Sequence, residues 1–274
     1  MKKVSYQGVQ GAYSQSAAKK FFGGDIETLA TDSFEDALKF AEIDQTSENI
    51  NYSILPVENS IEGTVGQSID VITNTSLNSI GEVYLKIEHC LIGNGKFDDV
   101  TKVYSHPQAL GQCSDFIINH SLKTVPTYDT AGSVEIIKEL EDNCAAIASS
   151  LASSLYNVPI IKEGISNNSN NFTRFLIFSR ENTTESENDK TSIIFSVKHE
   201  SGALHQILKE FNDNDINLTK IESRPNKNKN WEYNFIVDFL GHNSNSKIES
   251  VLEKIRKNTV FLKILGSYPI AELD

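Results

Sequence analysis

The sequence has few cysteines and no long apolar run, and both absences restrict what the protein can be. Its 3 cysteines, Cys90, Cys113 and Cys144, are an odd number at wide spacing, which fits neither a disulfide framework nor a metal site. We expect reduced, mostly buried thiols in a cytoplasmic protein. No apolar stretch approaches the roughly 20 residues of a membrane helix. Residues 1–8 are not followed by the apolar segment of a signal peptide, so neither a membrane nor export is expected.

Positive charge is also scarce. The 274 residues include 25 Lys and Arg against 37 Asp and Glu, and the formal net charge is -12. Binding to nucleic acid needs a basic face that neutralises phosphates, so we expect no such partner. An anionic small molecule remains compatible with the sequence, because charge effects are screened beyond about 8 Å at physiological salt.

The motifs that bind common cofactors are missing. The turn Gly8–Ser14 is rich in glycine and leads from a strand to a helix. It lacks the GxGxxG spacing of a dinucleotide site and the lysine of a nucleoside triphosphate site. The sequence also has no HExxH, no GxSxG and no metal-ligand spacing. It therefore predicts a protein that needs no cofactor and no metal.

Strands and helices alternate over the first two thirds of the chain. This pattern predicts an α/β fold in which helices cover both faces of mostly parallel sheets. A polar segment without apolar anchors, residues 181–190, predicts a linker and ends a first domain of residues 1–180. Breaks in the alternation indicate two lobes, one of residues 1–76 plus 166–180 and one of residues 77–165. A ligand is expected between the lobes, beyond the strand ends.

The last part of the chain, residues 191–274, has a different order of elements. Its β-α-β-β-α-β pattern predicts a ferredoxin-like unit. The helix expected over 202–211 has one apolar stripe, and a polar hairpin turn is expected over 225–230. Such a sheet leaves a face or an edge that a second copy can cover. We therefore expect a homodimer formed at least through this domain.

The run Asn170–Phe175 sets a hydroxyl, Thr173, beside a guanidinium, Arg174. Such a donor pair suits an oxygen leaving group close to a carboxylate. Neighbouring side chains of a regular strand point to opposite faces, so the two can serve one ligand only where the backbone is irregular. The asparagines ahead of them favour an irregular loop. The alternative is an ordinary loop that ends on a strand.

A second candidate is the turn 56–60, which follows a buried strand and contains Glu58, Asn59 and Ser60. Exposed N–H groups ahead of a helix make an anion site, strengthened by the helix dipole. The alternative is ordinary capping, with the side chains bonded only to local backbone.

The segment 105–113 repeats this arrangement, with Pro107 at the first helical position. Ser105 and the free N–H groups could bind a carboxylate, and Gln112 lies one to two turns further on. His106 is either an acid or base or a structural residue. A third helix opens after residue 129, and its Glu135 would ordinarily face solvent.

Taken together, these segments resemble prephenate dehydratase. The matching runs are Gly8–Ala18, Leu55–Gly63, Ser105–Cys113, Asp129–Ala131 and Asn171–Phe175. The tail resembles the ACT regulatory domain of that family, through Gly202-Ala203-Leu204 and Glu222-Ser223-Arg224-Pro225. The resemblance covers nearly the whole chain.

The resemblance implies conversion of prephenate to phenylpyruvate, water and carbon dioxide in phenylalanine synthesis. It implies a two-lobed catalytic domain like that of periplasmic binding proteins, followed by the ACT domain. It also implies a dimer or tetramer inhibited by L-phenylalanine. Deletion of the residues after about 190 is expected to abolish inhibition and leave activity.

Site residues follow from the same resemblance. Thr173 would hydrogen-bond the departing hydroxide, Arg174 would hold a carboxylate, and Glu58 or His106 would relay a proton. The substrate-binding residues implied are Asn59, Ser60, Ser105, Gln112, Glu135 and Phe175. The L-phenylalanine site would contain Gly202, Ala203, Leu204, Glu222, Ser223 and Arg224.

The sequence leaves several alternatives open. It departs from the family pattern at Ala12, where threonine is frequent, and at Ser201 and His205 beside the Gly-Ala-Leu motif. The departure at Ala12 weakens any role for a side chain of that loop, and those at Ser201 and His205 leave the strength and sign of regulation undecided. Arogenate is an alternative substrate, and an amino-acid sensor without catalysis is an alternative function.

Overall fold

The structure is a computed structural model that describes residues 1–43, 50–141, 143–225 and 232–273. Most of the hairpin turn predicted over 225–230 lies outside these residues. The first elements are β1 (Lys2–Gln7), α1 (Tyr13–Phe22), β2 (Ile26–Thr31), α2 (Phe34–Glu42), β3 (Asn51–Asn59), β4 (Gly63–Thr64), α3 (Gly66–Ile72) and β5 (Asn78–Lys86). Next come β6 (Cys90–Ile92), a 3-10 turn (Phe97–Asp99), β7 (Lys102–Ser105), α4 (Pro107–Gln112), α5 (Ser114–Asn119), β8 (Lys123–Pro126), α6 (Gly132–Lys138), β9 (Cys144–Ala148), α7 (Ser150–Tyr156), β10 (Ile160–Lys162) and β11 (Phe172–Ser179). The chain ends with β12 (Asp189–Ser196), α8 (Ala203–Asp213), β13 (Leu218–Pro225), β14 (Tyr233–Leu240), α9 (Ser246–Asn258) and β15 (Phe261–Pro269).

The first lobe contains a 6-stranded sheet in the order β2-β1-β3-β11-β5, with β4 paired to β3. β1 runs parallel to β2 and β3, while the late strand β11 runs antiparallel to β3 and β5. The apolar run 175–178 is buried on both faces of this sheet. Phe175 and Ile177 join the core beneath α1, and Leu176 and Phe178 join the core on the opposite face. A continuous apolar run is what a strand covered on both sides requires.

The second lobe contains a 5-stranded sheet in the order β10-β6-β9-β7-β8. Its apolar residues form one core on each face. The two sheets confirm the prediction of a two-lobed α/β fold. The predicted lobe boundary at residue 77 is wrong by one strand, because β5 pairs with β11 in the first sheet. The chain crosses between the lobes after Lys86, where alternating apolar residues gave no sign of a break.

The C-terminal domain has the predicted βαββαβ order, with strands arranged β13-β14-β12-β15. Helices α8 and α9 cover one face of its sheet. The other face packs on the first lobe, and one apolar cluster contains residues of both: Leu176 and Phe178 from β11, with Ile194, Ile236, Leu265 and Tyr268 from the C-terminal domain. The same chain therefore covers the face that we expected to be free for a second copy.

The contact between the two domains is close enough to bring backbone against backbone. At Gly266 of β15 a Cβ atom would lie 2.1 Å from the carbonyl oxygen of Ser79 in β5. Its φ of 149° also lies in the region that favours glycine. The predicted linker ends earlier than expected, because Asp189 and Lys190 are buried in β12. Within the described residues, no helix is long and apolar enough to cross a membrane.

Candidate active site between the lobes

A cleft of about 280 Å³ lies between the two lobes. The first lobe contributes Gln7, Gly8, Gly11, Ala12, Tyr13, Ser14, Phe34, Pro56, Asn59, Val65, Thr173 and Phe175. The crossing segment and the second lobe contribute Ile87, His89, Gln108, Ala109, Gln112, Asp129, Thr130, Ala131 and Ser149. The volume is near the lower end of the range for small-molecule sites, which begins at about 300 Å³. Of the predicted site residues, the structure brings together Thr173, Asn59, Gln112 and Phe175 at this cleft.

Thr173 and Asn59 face each other across β11 and β3. The Asn59 amide donates from Nδ2 to Thr173 Oγ1 at 3.0 Å and to the Asn171 side-chain oxygen at 2.7 Å. Its own oxygen accepts from the backbone N–H groups of Ile61 and Glu62 at 3.0 and 2.9 Å. Those two backbone donors fix which end of the amide meets Thr173. Because Thr173 accepts this hydrogen bond, its own hydroxyl proton is directed to another acceptor.

A chain of side-chain hydrogen bonds continues from Asn171 along the cleft wall. Asn171 donates to Gln112 Oε1 at 3.3 Å, and the same oxygen lies 2.9 Å from His89 Nε2. His89 Nδ1 lies 2.9 Å from the hydroxyl of Tyr13, which also lies 2.7 Å from the carbonyl oxygen of Glu88. His89 is only 2% exposed. Desolvation by burial lowers the pKa of this imidazole, and the hydrogen bond with Gln112 acts in the opposite direction.

Arg174 does not lie in the cleft. It pairs with Glu58 within β11 and β3, and the register shift comes only after it. Thr173 and Arg174 are therefore consecutive residues of a strand with their side chains on opposite faces. The irregular backbone that a shared ligand would need is absent at these residues. The expectation that Arg174 holds a substrate carboxylate beside Thr173 is wrong for this reason.

The Arg174 guanidinium instead joins a buried ion network between the first lobe and the C-terminal domain. Nε donates to Glu82 Oε2 at 2.7 Å, the Tyr268 hydroxyl lies 2.8 Å from a terminal nitrogen, and the other nitrogen pairs with Asp238. Lys190 donates to the second Glu82 oxygen at 2.7 Å. Burial disfavours the charge of Arg174, but the acidic groups around it outweigh burial and raise its pKa well above the ordinary value.

Two predicted residues of the turn 56–60 also lie away from the cleft. Glu58 is on the same face as Arg174 and pairs with Lys220 of the C-terminal domain at 3.0 Å. Ser60 donates to the Asn170 carbonyl at 3.1 Å and accepts from the backbone of β11. Strand alternation explains the position of Glu58, since its neighbour Asn59 faces the cleft. Ser60 lies just beyond the end of β3.

The segment 105–113 likewise contributes fewer ligand groups than expected. Ser105 is fully buried, and its hydroxyl donates to the Ile147 carbonyl at 2.7 Å, so it joins strands β7 and β9. His106 is the N-cap of α4, and its Nδ1 accepts from the Gln108 N–H at 3.3 Å. Its ring lies in a groove next to the cleft. Glu135 is exposed on α6, as ordinary helix residues are.

The predicted L-phenylalanine residues fall into two groups. Gly202, at a φ of 83°, precedes α8. Ala203 and Leu204 line a groove of about 180 Å³ together with His199 and Tyr233. This groove lies on the helical side of the C-terminal sheet.

The second group faces the catalytic lobe. Arg224 makes a paired contact with the Asp70 carboxylate at 2.9 and 2.9 Å. Its guanidinium packs where a side chain of Gly66 would stand. Glu222 accepts from the Thr64 hydroxyl. Ser223, between them on β13, is exposed on the other face.

Sequence reasoning missed His89, Tyr13 and Asn171. Tyr13 lies in the glycine-rich turn, for whose side chains the sequence predicted no role in the site. Asn171 was treated as a loop former. His89 lies where the chain crosses between lobes, and its only sequence signal is a polar residue directly before the apolar strand β6.

Comparison with known proteins places these observations in a family. The family model of prephenate dehydratase matches residues 4–183, and that of the ACT domain matches residues 191–257. A bifunctional chorismate mutase/prephenate dehydratase of Pseudomonas aeruginosa is 39% identical over 99% of this chain and 74% of its own length. An arogenate dehydratase/prephenate dehydratase of Arabidopsis thaliana is 36% identical over 98% of this chain and 73% of its own length.

Solved structures agree with the fold. A prephenate dehydratase of Arthrobacter aurescens in complex with L-Phe has a TM-score of 0.87 at 26% identity, over 98% of this chain and 90% of that chain. A protein described as a quorum quenching acylase, GqqA, has a TM-score of 0.86 at 27% identity, over 98% of both chains. The family match, the two-lobed cleft and the C-terminal βαββαβ unit together show that this chain belongs to the prephenate dehydratase family and carries an ACT domain.

Proposed function

We propose that the chain converts prephenate to phenylpyruvate, water and carbon dioxide in the synthesis of phenylalanine. The observation that carries this proposal is the Thr173 hydroxyl in the interlobe cleft. Asn59 holds it as a hydrogen-bond acceptor at 3.0 Å, which directs its proton toward a ligand oxygen. Preorganised donors of this kind stabilise charge that develops on a leaving group.

The chemistry needs little more than this donor and correct positioning. The bond from the ring to its carboxylate breaks, and carbon dioxide leaves. The electron pair completes the aromatic ring and expels the ring hydroxyl as hydroxide, which takes a proton and becomes water. Formation of the aromatic ring drives the step, so no electron-sink group is required. Because a threonine hydroxyl is a very weak acid, Thr173 hydrogen-bonds the departing oxygen rather than transferring its proton fully.

The charge of the cleft fits a carboxylate that must be lost. In the part of the chain that the structure describes, no residue that lines the cleft is a lysine or an arginine. A carboxylate held by a strong ion pair is stabilised before the reaction, whereas the transition state spreads its charge into the ring. The carboxylate that is lost is instead held by neutral donors, among them the first N–H groups of α1, which have no partner within their helix.

The test is turnover of prephenate, followed as formation of phenylpyruvate by the wild type and by Thr173→Ala. Loss of a donor to a leaving oxygen is expected to lower kcat by about 10²-fold or more. Thr173→Ser is the matched variant, since it keeps the hydroxyl and is expected to retain most of the rate. A Thr173→Ala enzyme that is folded and nearly as fast as the wild type would contradict the role of this hydroxyl.

Arogenate is the second candidate substrate, because a curated relative is named for both activities. It differs from prephenate by an amino group in place of a keto group, and the departing groups are the same. The two kcat/KM values, measured side by side, decide between them. Tight binding of L-phenylalanine without turnover of either compound would instead indicate a sensor.

We further propose that L-phenylalanine binds the ACT domain beside Gly202–Leu204 and inhibits the enzyme. The groove lined by Ala203 and Leu204 supports this placement. Arg224, which we predicted as a ligand residue, contacts Asp70 of the catalytic lobe instead. We therefore propose that the segment Glu222–Arg224 transmits the effect of L-phenylalanine binding from the ACT domain to the catalytic lobe.

The variant Arg224→Gln distinguishes binding of L-phenylalanine from transmission of its effect to the catalytic lobe. The variant is expected to bind L-phenylalanine in a calorimetric titration but to lose most of the inhibition, since Asp70 no longer has its paired contact. Thr219→Ala is the control, because Thr219 is on the exposed face of the same strand. Loss of binding itself would place Arg224 in the ligand site, as the sequence suggested.

We also propose an oligomeric assembly and a cellular location for the protein. The ACT domain is proposed to form a homodimer, or a tetramer built from it, through β13, one of the two edge strands of its sheet among the described residues. Ile221 on this strand is 47% exposed. Light scattering coupled to gel filtration measures the assembly. The three buried free thiols support a reducing, cytoplasmic location.

A further inference from the structure

The cleft must bind an anion, yet among the described residues that line it only one side chain, His89, can become a cation near neutral pH. Prephenate carries two carboxylates, and one of them, on the pyruvyl side chain, is still present in the product. Without lysine or arginine in the lining, the retained carboxylate has no permanent counter-charge in the cleft. The surroundings of His89 therefore decide whether it can supply one.

The partners of the His89 ring identify which of its nitrogen atoms carries hydrogen. Gln112 donates from Nε2 to Glu62 at 3.3 Å and accepts at Oε1 from Asn171. This orientation leaves Gln112 Oε1 facing His89 Nε2 at 2.9 Å. An oxygen of an amide can only accept, so His89 Nε2 must be the donor.

The other nitrogen of the ring faces the Tyr13 hydroxyl. In a neutral ring with hydrogen on Nε2, Nδ1 needs a donor, and Tyr13 is the group beside it at 2.9 Å. The carbonyl of Glu88, at 2.7 Å, is a second acceptor for that hydroxyl proton. The proton can serve only one of the two acceptors at a time. In the protonated ring, Nδ1–H donates to Tyr13, Tyr13 donates to Glu88, and each contact has one donor and one acceptor.

We propose that His89 takes up a proton when the substrate binds and becomes the counter-charge for its retained carboxylate. In the free enzyme, the hydrogen bonds around His89 favour the protonated ring, whereas burial favours the neutral ring. An anion entering the cleft adds an attraction that shifts this balance. The change requires only rotation of the Tyr13 hydroxyl, with no movement of heavier atoms. This inference rests on the proposed function, because it needs an anionic substrate.

The thiols and the phenol beside His89 titrate in a higher pH range than a histidine. Burial raises the pKa of the Cys90 thiol to about 11 and that of Cys113 to about 12. Burial also raises the pKa of Tyr13 well above its ordinary value. The carboxylates near this network belong to Glu62, which contacts Gln112, and Glu88, beside His89 in the chain; Asp129 also lines the cleft. Proton uptake between pH 6 and 9 would thus belong to the histidine.

The experiment measures KM for prephenate between pH 6 and 9 in the wild type and in His89→Gln. In the wild type, KM is expected to rise with pH, by up to tenfold per pH unit. The rise begins at the pKa of His89 in the free enzyme and levels off above its higher pKa in the complex. In His89→Gln, KM should be raised by about ten- to a hundredfold at pH 6.5, as for loss of an interaction with a charged group. Its pH dependence should be flat, so the two enzymes converge at high pH.

His120→Gln is the matched control, since this histidine is exposed at the end of α5. It should keep the wild-type profile. If His89 had only a structural role in the cleft wall, its replacement would change KM by the same factor at every pH. Parallel plots of KM against pH for the wild type and His89→Gln would therefore overturn the inference. Nitrogen-15 NMR of the histidine rings gives a second readout: with excess phenylpyruvate, His89 should become doubly protonated at pH 7. A ring that stays neutral in that complex would also overturn it. Absence of prephenate turnover would overturn the proposed function itself, which these two outcomes do not.

Discussion

Replacing Asp238 with Asn is expected to loosen the contact between the ACT domain and the catalytic lobe. The buried network contains two cations, Arg174 and Lys190, and two carboxylates, Glu82 and Asp238, all with side chains at most 7% exposed. The four charges balance. Asn has the same shape as Asp but no charge, so Asp238→Asn leaves one positive charge buried without compensation.

The magnitude follows from that uncompensated charge. Breaking a buried ion pair from one side costs about 3–5 kcal/mol. For a chain of this size 1 kcal/mol corresponds to about 2–4 °C in melting temperature, which gives a decrease of roughly 6–20 °C. Activity should fall as well, because Arg174 and Thr173 are adjacent in β11.

Thermal unfolding followed by calorimetry is the assay. The control is Asp213→Asn, whose carboxylate pairs with Lys209 on an exposed helix surface and should leave the melting temperature nearly unchanged. The double variant Arg174→Gln/Asp238→Asn removes one charge of each sign. It is expected to be more stable than the sum of its single variants predicts, by about 1–3 kcal/mol. A melting temperature of Asp238→Asn equal to that of the control, or strict additivity, would refute the reasoning.

Three further predictions concern the domain contact and pH. Gly266→Ala should lower the melting temperature and the activity, because its Cβ would lie 2.1 Å from the Ser79 backbone; Gly24→Ala, which has no atom within 4 Å of that position, should do neither. Deletion of the residues after 190, which the sequence suggested would abolish only inhibition, should also lower the melting temperature by exposing the shared apolar face; an unchanged melting temperature would show that the domains are independent. Because burial lowers the pKa of His89, the unfolded chain binds this proton more readily than the folded one, so stability in urea should fall as pH decreases below about 6.5. His89→Gln should reduce that dependence, and an identical pH profile in both proteins would contradict it.

The sequence predicted the α/β order and the C-terminal βαββαβ unit, and it proposed Thr173, which lies at the cleft, because periodicity and local motifs report on single elements. It failed where the answer depends on which face of a strand meets which partner. Arg174 and Glu58 carry charges that suit an anionic ligand, yet alternation in β11 and β3 turns both toward the ACT domain. The lobe boundary failed for a related reason, since the pairing of β5 with β11 joins segments about 90 residues apart.

His89 could not have been found from its surroundings in the chain. Its importance comes from Tyr13 on α1 and Gln112 on α4, which the fold brings to either side of the ring. A residue type and its immediate neighbours carry no information about such long-range partners. Only the assembled cleft shows that, of the described residues that line it, this histidine alone can become a cation near neutral pH.

The strand β11 has a further consequence for how this enzyme can change in evolution. Its two faces hold different functions at consecutive positions, a hydroxyl at the cleft and a guanidinium at the ACT domain. A slip of pairing by one residue would exchange every side chain between the faces. It would put the guanidinium into the cleft and the hydroxyl among the buried carboxylates. An insertion or deletion inside β11 would therefore damage catalysis and domain attachment together, whereas length changes in the loop before it, residues 163–171, would leave the assignment of faces intact.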